Sequence, residues 1–324
     1  MATKTPVIAV IGSLNIDLVT YTSRIPQAGE TMTANGFNVG LGGKGANQAV
    51  ACAKLSRSKA ALDRGTATVR MVGAVGADAY GTMMSAGLRE FGVDVSGVEV
   101  RSGMKTGVAV IIVEEATGEN RIMLSPEANH SVRPEHFREL PAPLPDLVIM
   151  QLEIPLDTVL QIMATAHRQG VPVLLNPAPA QQIPDEYYGY VSHFVVNETE
   201  AVFMSGRDDA DVETPEGLAA VARIFQSRGA QNVLITLGGK GVYYADAGGR
   251  SGHVPAEKAK VVDTTAAGDT FVGAYALEVV RCGGSAAESF DIEKAVRIAN
   301  GAARRTVEKR GAQDSIPWLD ELDS

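Results

Sequence analysis

From Leu147 onward the chain alternates short apolar runs with longer amphipathic ones, and that rhythm limits the fold more than any other feature. Leu147–Leu152, Val171–Leu175, His193–Val196 and Val233–Thr236 have strand length, while Leu156–Gln169, stopped by Gly170, and Thr214–Arg228 read as helices. Buried strands joined by helices of this length argue for a largely parallel sheet covered on both faces. Val7–Ile11, before Gly12, reads as a buried first strand continuing toward Asn15 and Asp17. Val69–Val75 is a further strand, Tyr80–Phe91 a helix stopped by Gly92, and Thr270–Arg281 and Ile292–Lys309 are closing helices. Gly107–Glu114 and Asn120–Leu124, around Ala116-Thr-Gly118, form a hairpin pattern that breaks the rhythm and points to a small accessory sheet.

Val262-Asp-Thr-Thr-Ala-Ala-Gly-Asp-Thr-Phe271 carries the clearest chemistry. Small residues at Ala266, Ala267 and Gly268 let backbone N–H groups converge where a helix opens, and an opening helix leaves its first donors unpaired. Unpaired donors and the positive end of the helix dipole make an anion site. Asp269 would repel a resting phosphate there, so it is either an ordinary helix cap or a base for a hydroxyl attacking that phosphate. Spacing alone leaves both open.

With 324 residues, 45% hydrophobic and 21% charged, the chain is long enough for a large core and has globular composition. A formal charge of −9 argues against a general nucleic-acid binder. Val7–Ile11 is too short for a membrane span, and no address is evident at Leu322-Asp-Ser324, so no membrane partner is expected. Cys52 and Cys282 both sit in apolar helical runs and read as buried thiols of a reducing compartment. A cytoplasmic location is expected, with the nucleus left open. The histidines show no metal-ligand spacing. Tyr243-Tyr244 reads as strand packing, and Ser56–Arg70 as an exposed, basic surface insertion.

Gly40, Gly42 and Gly45 satisfy the dinucleotide pattern G-x-G-x-x-G, but they do not follow the first strand, and Asp63 lies in a charged loop rather than at a strand end. A phosphate loop fits less well, since Gly45 follows Lys44 where Ser or Thr is needed. A better account is polyol reading: Lys44 and Asn47 at a helix start, glycines that allow close backbone approach, and Asn15 and Asp17 at the end of the first strand completing the set.

Asn15-x-Asp17, Pro26-x-x-Gly29-Glu-Thr31, Gly42-Gly-Lys-Gly-Ala-Asn-Gln48 and Thr264-Thr-Ala-Ala-Gly-Asp269, in this order, resemble the PfkB carbohydrate kinase family. Asn176-Pro-Ala-Pro179, Asn197-Glu-Thr-Glu200 and Gly311-Ala-Gln-x-Ser315 are similar to its ribose-specific members in particular. The resemblance implies one ribokinase-like, doubly wound α/β domain over 1–324, with helices on both faces and a β lid from about 16–40 and 104–124. It implies ATP-dependent phosphorylation of the 5-hydroxyl of D-ribose, with Asp269 as base and Ala266–Gly268 as the anion hole. Asn15, Asp17, Gly43, Lys44, Asn47 and Glu153 would hold the sugar, with Ala109 and Ile111 covering it. Asn197 and Glu200 would organise the phosphates and, indirectly, Mg²⁺; Thr236, Gly238 and Gly241 would follow the nucleotide, with Asn300 near the adenine.

Asp263, Thr265 and Ser315, with carbonyls near Thr306, Lys309 and Gly311, match the family's site for an activating K⁺. The resemblance also implies a homodimer through the lid. Plainer roles stand beside these: Asp17 as a turn cap, Glu153 as a surface residue before Pro155, Asn300 as a helix-surface amide, and a simple loop-to-tail contact at Asp263. Pro126 and Glu127 depart from the family at the lid hinge. The competing functions are a kinase for deoxyribose, fructose or adenosine, a non-catalytic sugar-binding regulator, and an NAD-linked oxidoreductase.

Overall fold

The computed structural model describes residues 4–283 and 290–322. The chain opens with β1 (Val7–Ile11), then β2 (Asn15–Thr22), β3 (Gly36–Gly42), α1 (Lys44–Leu55), β4 (Thr68–Gly76), α2 (Ala79–Glu90) and β5 (Asp94–Arg101). Next come β6 (Gly107–Glu114), β7 (Asn120–Ser125), β8 (Leu147–Met150), α3 (Leu156–Arg168), β9 (Val173–Leu175), β10 (His193–Asn197) and α4 (Glu198–Ser205). The last elements are α5 (Pro215–Arg228), β11 (Asn232–Thr236), β12 (Val242–Ala245), β13 (Ser251–Val254), α6 (Ala267–Arg281) and α7 (Ile292–Val307).

A nine-stranded sheet runs β13-β12-β11-β10-β9-β8-β1-β4-β5. Its strands from β11 to β5 are parallel, and β12 joins antiparallel between β11 and β13. The central strands β1, β8 and β9 are buried along their whole length, which explains their unbroken apolar sequences. Two cores follow, one per face. One packs α1, α6 and α7, and the other packs α3 and α5 with the buried faces of α4.

The segments that break the alternation build a second, four-stranded sheet, β3-β2-β6-β7. Leu18, Val39, Leu41 and Val108 dock it onto the α1 side of the core. The sheet's edge strands carry exposed apolar side chains, Phe37 on β3 and Ile122, Met123 and Leu124 on β7.

Several expectations need correction. β1 stops at Ile11, and Asn15 and Asp17 lie on β2 in the second sheet rather than at the end of the first strand. α1 is buried on all sides from Gly45 to Leu55, not along one face. Its alanines let α6 come close: a Cβ on Gly273 would lie 2.5 Å from that of Ala51. Ser56–Arg70 is not simply exposed. Arg57 is buried, and its guanidinium donates to the carbonyls of Leu62, Ala67 and Gly92, which folds the segment onto the body. Cys52 is buried as expected, but Cys282 is half-buried at the end of α6. β5 and α4 carried no clear signal; both faces of β5 are mixed in burial, and α4 is short.

Candidate functional site

The order of the main sheet reverses between β1 and β8, and open α/β sheets take ligands at such a point, beyond the carboxyl ends of their strands. Gln151, Asn176, Asn197 and Thr236 follow or end β8, β9, β10 and β11 at this edge. Gly12 and Ser13 follow β1 there.

α6 opens at this edge. Ala266 precedes it in the left-handed region (φ 60°), and no side chain caps the helix. Thr270 N–H donates to Ala266 O at 2.8 Å and is the first to close the helical ladder. The amides of Gly268 and Asp269 therefore have no acceptor within the helix, and a Cβ built on Gly268 would meet nothing within 4 Å. Asp269 stands in the first turn, 8% exposed, and does not cap its own helix. Its carboxylate turns to α1 instead: Oδ2 accepts from Asn47 Nδ2 at 3.0 Å and Oδ1 from Gln48 Nε2 at 2.9 Å.

The start of α1 is built to bring its side chains to this point. Gly43 precedes it at φ 86°, and a Cβ there would lie 2.6 Å from Asn15 N; only glycine fits both demands. Glu153 Oε2 accepts from Lys44 N at 3.0 Å and from Ser13 Oγ at 2.5 Å, so this carboxylate caps α1 from across the sheet. Asn15 Nδ2 reaches the same oxygen at 3.5 Å. Asn129 fixes the hinge between the sheets: its amide donates to Leu14 O and Asn15 Oδ1, and its oxygen accepts Leu14 N–H.

Asp17 lies directly over Gly42, where a Cβ would sit 2.2 Å from its Oδ2. Strand register sets Asp17 beside Ala109, and Val19 beside Ile111, so Asp17, Ala109 and Ile111 share one face of the small sheet. Burial, then the charges of Glu153 and Asp269, raise the Asp17 pKa to about 7 against the pull of Lys44. Burial lowers the pKa of Lys44, but Asp269, Glu153, Glu200 and Asp17 outweigh it and the net shift is upward. Among the described residues the Lys44 ammonium forms no hydrogen bond or ion pair, although those carboxylates surround it. A fixed charge with no direct partner is free to take a polar ligand.

Along the same edge, Asn197 caps α4. Its Oδ1 accepts Glu200 N–H at 2.8 Å, and Glu200 Oε2 accepts Asn197 N–H at 2.9 Å. Burial raises the Glu200 pKa, while the Asn197 amide and Lys44 oppose that rise and Asp269 adds to it. Thr236 pairs with Asn197 across β10 and β11. Gly238 and Gly241 turn the chain into β12, both at positive φ, and Gly241 passes so near Val254 O that a Cβ would lie 2.1 Å away. Asn300, on α7, reaches the Val254 and Pro255 carbonyls at 3.5 and 3.4 Å. Gly241 and Asn300 both approach Val254 O, which brings the turn into β12 against α7.

Behind the α6 opening, Asp263 Oδ1 accepts from Thr265 N and Oγ1 at 2.9 and 2.6 Å, and Oδ2 accepts from Gly311 N at 3.0 Å. Burial pushes the Asp263 pKa up, but these donors outweigh it and hold the carboxyl below its usual range. The amides of Val262 and Asp263 both reach Val307 O at the end of α7. Thr306 O accepts Lys309 N–H, and Ser315 Oγ donates to Ala312 O. The loop and the tail thus meet at the carbonyl end of a helix, which favours cations. Among the described residues there is no cluster of three or more His, Cys, Asp or Glu side chains suited to a metal ion.

Sequence reading missed several buried amides that tie these parts together. Gln48 donates to Asp269 and to Asn176 Oδ1, and accepts Gln151 Nε2 at 2.6 Å. Gln313 Nε2 reaches Asn47 Oδ1 at 3.3 Å. Their signal was a polar side chain inside an otherwise small and apolar helix or strand end.

The glycine run is the end of an antiparallel strand in the small sheet and the cap of α1, not a dinucleotide loop after the first parallel strand. A pfkB family carbohydrate kinase profile matches residues 6–319. A ribokinase of Schizosaccharomyces pombe is 43% identical over 321 residues, covering 98% of this chain and 96% of its own. A deoxyribokinase of Salmonella typhi is 36% identical, covering 97% of each. The structure of an Arabidopsis thaliana ribokinase complexed with ribose and ATP superposes with a TM-score of 0.83 at 30% identity, covering 98% of this chain and 97% of that one. With that match spanning both sheets and the whole edge just described, the chain belongs to the pfkB family of carbohydrate kinases.

Proposed function

We propose that this enzyme, a sugar kinase of the ribokinase type, transfers the γ-phosphoryl group of ATP to the 5-hydroxyl of D-ribose. One observation carries the reading. A buried carboxylate, Asp269, is held by two amides of α1 at the mouth of an uncapped helix. Its charge acts on Asp17 and Lys44, of the proposed hydroxyl-binding set, and on Glu200 at the α4 end. The S. pombe and A. thaliana relatives support ribose and ATP as the pair.

Phosphoryl transfer depends mainly on positioning and charge neutralisation. Asn15, Asp17, Asn47 and Glu153 would clamp the sugar hydroxyls, with Gly43 and Lys44 beneath and Ala109 and Ile111 covering the ring. Closure of the small sheet as a lid excludes water. Asp269 takes the proton of the 5-hydroxyl as its oxygen bonds to the γ-phosphorus; the bond to the β-phosphate oxygen breaks and ADP leaves. The amides beside Ala266, Ala267 and Gly268 receive the charge of the transferring group, where one donor is worth about 3 kcal/mol. The Lys44 ammonium adds to this. Mg²⁺ bound with ATP would neutralise phosphate charge, held indirectly through Glu200, while Asn197 shapes the helix end; Thr236, Gly238, Gly241 and Asn300 would line the nucleotide.

K⁺ suits the junction of Asp263, Thr265 and Ser315 with the carbonyls of Thr306, Lys309 and Gly311. An ionised carboxylate at the carbonyl end of α7 fits a hard monovalent ion, which supplies order to the anion-hole loop when bound. The bare apolar residues of the lid support a homodimer formed through it, in the cytoplasm.

An ADP-release assay over ribose, deoxyribose, fructose and adenosine, with wild type and Asp269→Asn, tests this reading. Ribose should be preferred, and the variant should lose about 10²- to 10⁴-fold in turnover while still binding ribose calorimetrically. Preference for deoxyribose would move the assignment to the other named relative. Turnover by the variant at the wild-type rate would remove Asp269 as base.

A further inference from the structure

α1 buries one lysine among its alanines. Lys54 is 3% exposed, and its Nζ donates to the carbonyls of Gln313 at 2.8 Å and Ile316 at 2.9 Å. The ammonium also lies over the rings of Phe91 and Trp318, 4.6 and 5.5 Å from their centroids. Carbonyl oxygens and aromatic faces thus replace the water it gave up. Asp314 and Glu321 attract it, Lys309 and Lys59 repel it, and burial outweighs both in setting a pKa of about 8, so the group is charged at neutral pH.

The position of this charge is the point. Asn47 lies seven residues earlier on the same helix, close to two full turns and so on the same face. Both residues grip one stretch of tail. Lys54 holds the backbone of Gln313 and Ile316, and the Gln313 side chain holds Asn47 Oδ1 at 3.3 Å. Asn47 in turn donates to Asp269 Oδ2 at 3.0 Å. The Asn47 amide can rotate unless its oxygen is engaged, and Gln313 is the partner that engages it.

We propose that Lys54 is a positioning residue for phosphoryl transfer: it pins Gln313–Ile316 to α1, so that Gln313 orients Asn47 and Asn47 orients Asp269. This rests on the reading of Asp269 as the base. The lysine touches neither sugar nor nucleotide and acts through the tail alone. A buried methionine at this place would fill the space and leave both carbonyls without a donor.

The full-length chain is compared as wild type, Lys54→Met, Lys54→Arg and Gln313→Leu. Hydrogen exchange at 313–316 without ligand should quicken in Lys54→Met and return toward wild type in Lys54→Arg. Turnover should drop about tenfold or more in Lys54→Met, within the cost of a small misplacement of a catalytic group, with the ATP KM little changed and Lys54→Arg largely restored. Gln313→Leu should lose turnover comparably, and the double variant should be no worse than the poorer single one, as one relay requires. Unchanged exchange or unchanged turnover in folded Lys54→Met, or additive losses, overturns the proposal. If Lys54→Met does not fold, Gln313→Leu decides: full turnover overturns the relay and a loss of about tenfold or more supports it. An active Asp269→Asn would refute the base separately, while the exchange measurement would still judge the pin.

Discussion

Replacing Asp17 by Asn is expected to stabilise the unliganded protein while weakening its hold on sugar. Burial, Glu153 and Asp269 raise the Asp17 pKa from 3.8 to about 7, with Lys44 opposing. That is roughly 3 pH units, or about 4 kcal/mol against the ionised form. The sign follows from linkage. The folded state binds this proton more tightly than the unfolded chain, so the stabilisation is complete below the unfolded value and is lost as pH rises through the folded one. Between about pH 5.5 and pH 8 the wild type should lose about 2 kcal/mol that Asp17→Asn keeps. Urea unfolding of both proteins without ligand, at several pH values, measures the difference. A pH-independent difference, or a variant less stable at the alkaline end, would refute the burial argument. Ribose titration at the alkaline end should show the variant weaker by about 1.5–3 kcal/mol, the worth of a hydrogen bond to a charged group; unchanged affinity would remove Asp17 from the sugar site.

Three further outcomes follow from the same geometry. Gly42→Ala places a methyl 2.2 Å from Asp17 Oδ2, so the carboxylate must move; the ribose KM should rise about tenfold or more with circular dichroism unchanged. Replacing K⁺ by Na⁺ should lower turnover, read by ADP release at constant ionic strength, and indifference to the cation would leave Asp263 a plain link between loop and tail. Ile122→Glu with Met123→Glu puts one charge on each face of β7; if the proposed homodimer forms through this sheet, sedimentation should report a dimer for the wild type and a monomer for the variant.

The repeated strand and helix periods made the parallel sheet legible, because β1, β8 and β9 are buried on both faces and must be apolar throughout. The interruption of that period located the second sheet. What periodicity could not show was the break after Ile11. Three residues, Gly12, Ser13 and Leu14, separate β1 from a strand of another sheet, and so short a connection leaves little loop composition behind. The expectation that Asn15 and Asp17 extend the first strand failed for that reason. Ser56–Arg70 misled in the opposite direction. Its charges suggest solvent, yet Arg57 is consumed by three backbone carbonyls, and a side chain with five donors can bury its head wherever a loop turns carbonyls inward.

The candidate site shows the same division between chemistry and support. Asp269, Lys44 and Asn47 stand out in the sequence because glycines and alanines leave them little to pack against. Gln48, Gln151, Asn176 and Gln313 do not, since an amide looks like any surface polar residue until burial is known. Burial changes their meaning. Gln48 donates both of its hydrogens, to Asp269 and Asn176, and accepts from Gln151, so its amide cannot rotate without breaking all three contacts. With Asn47 on the other oxygen, Asp269 is aimed by neutral donors rather than by a cation. Neutral donors fix direction and leave the charge of the carboxylate uncancelled, and the charge is what a base needs when a hydroxyl arrives. Neither nearby lysine is hydrogen-bonded to it: Lys54 is spent on the tail, and Lys44 attracts Asp269 through space alone. On the proposed reading of Asp269 as the base, the amides aim it, Lys44 is left for the phosphate and Lys54 for the tail backbone.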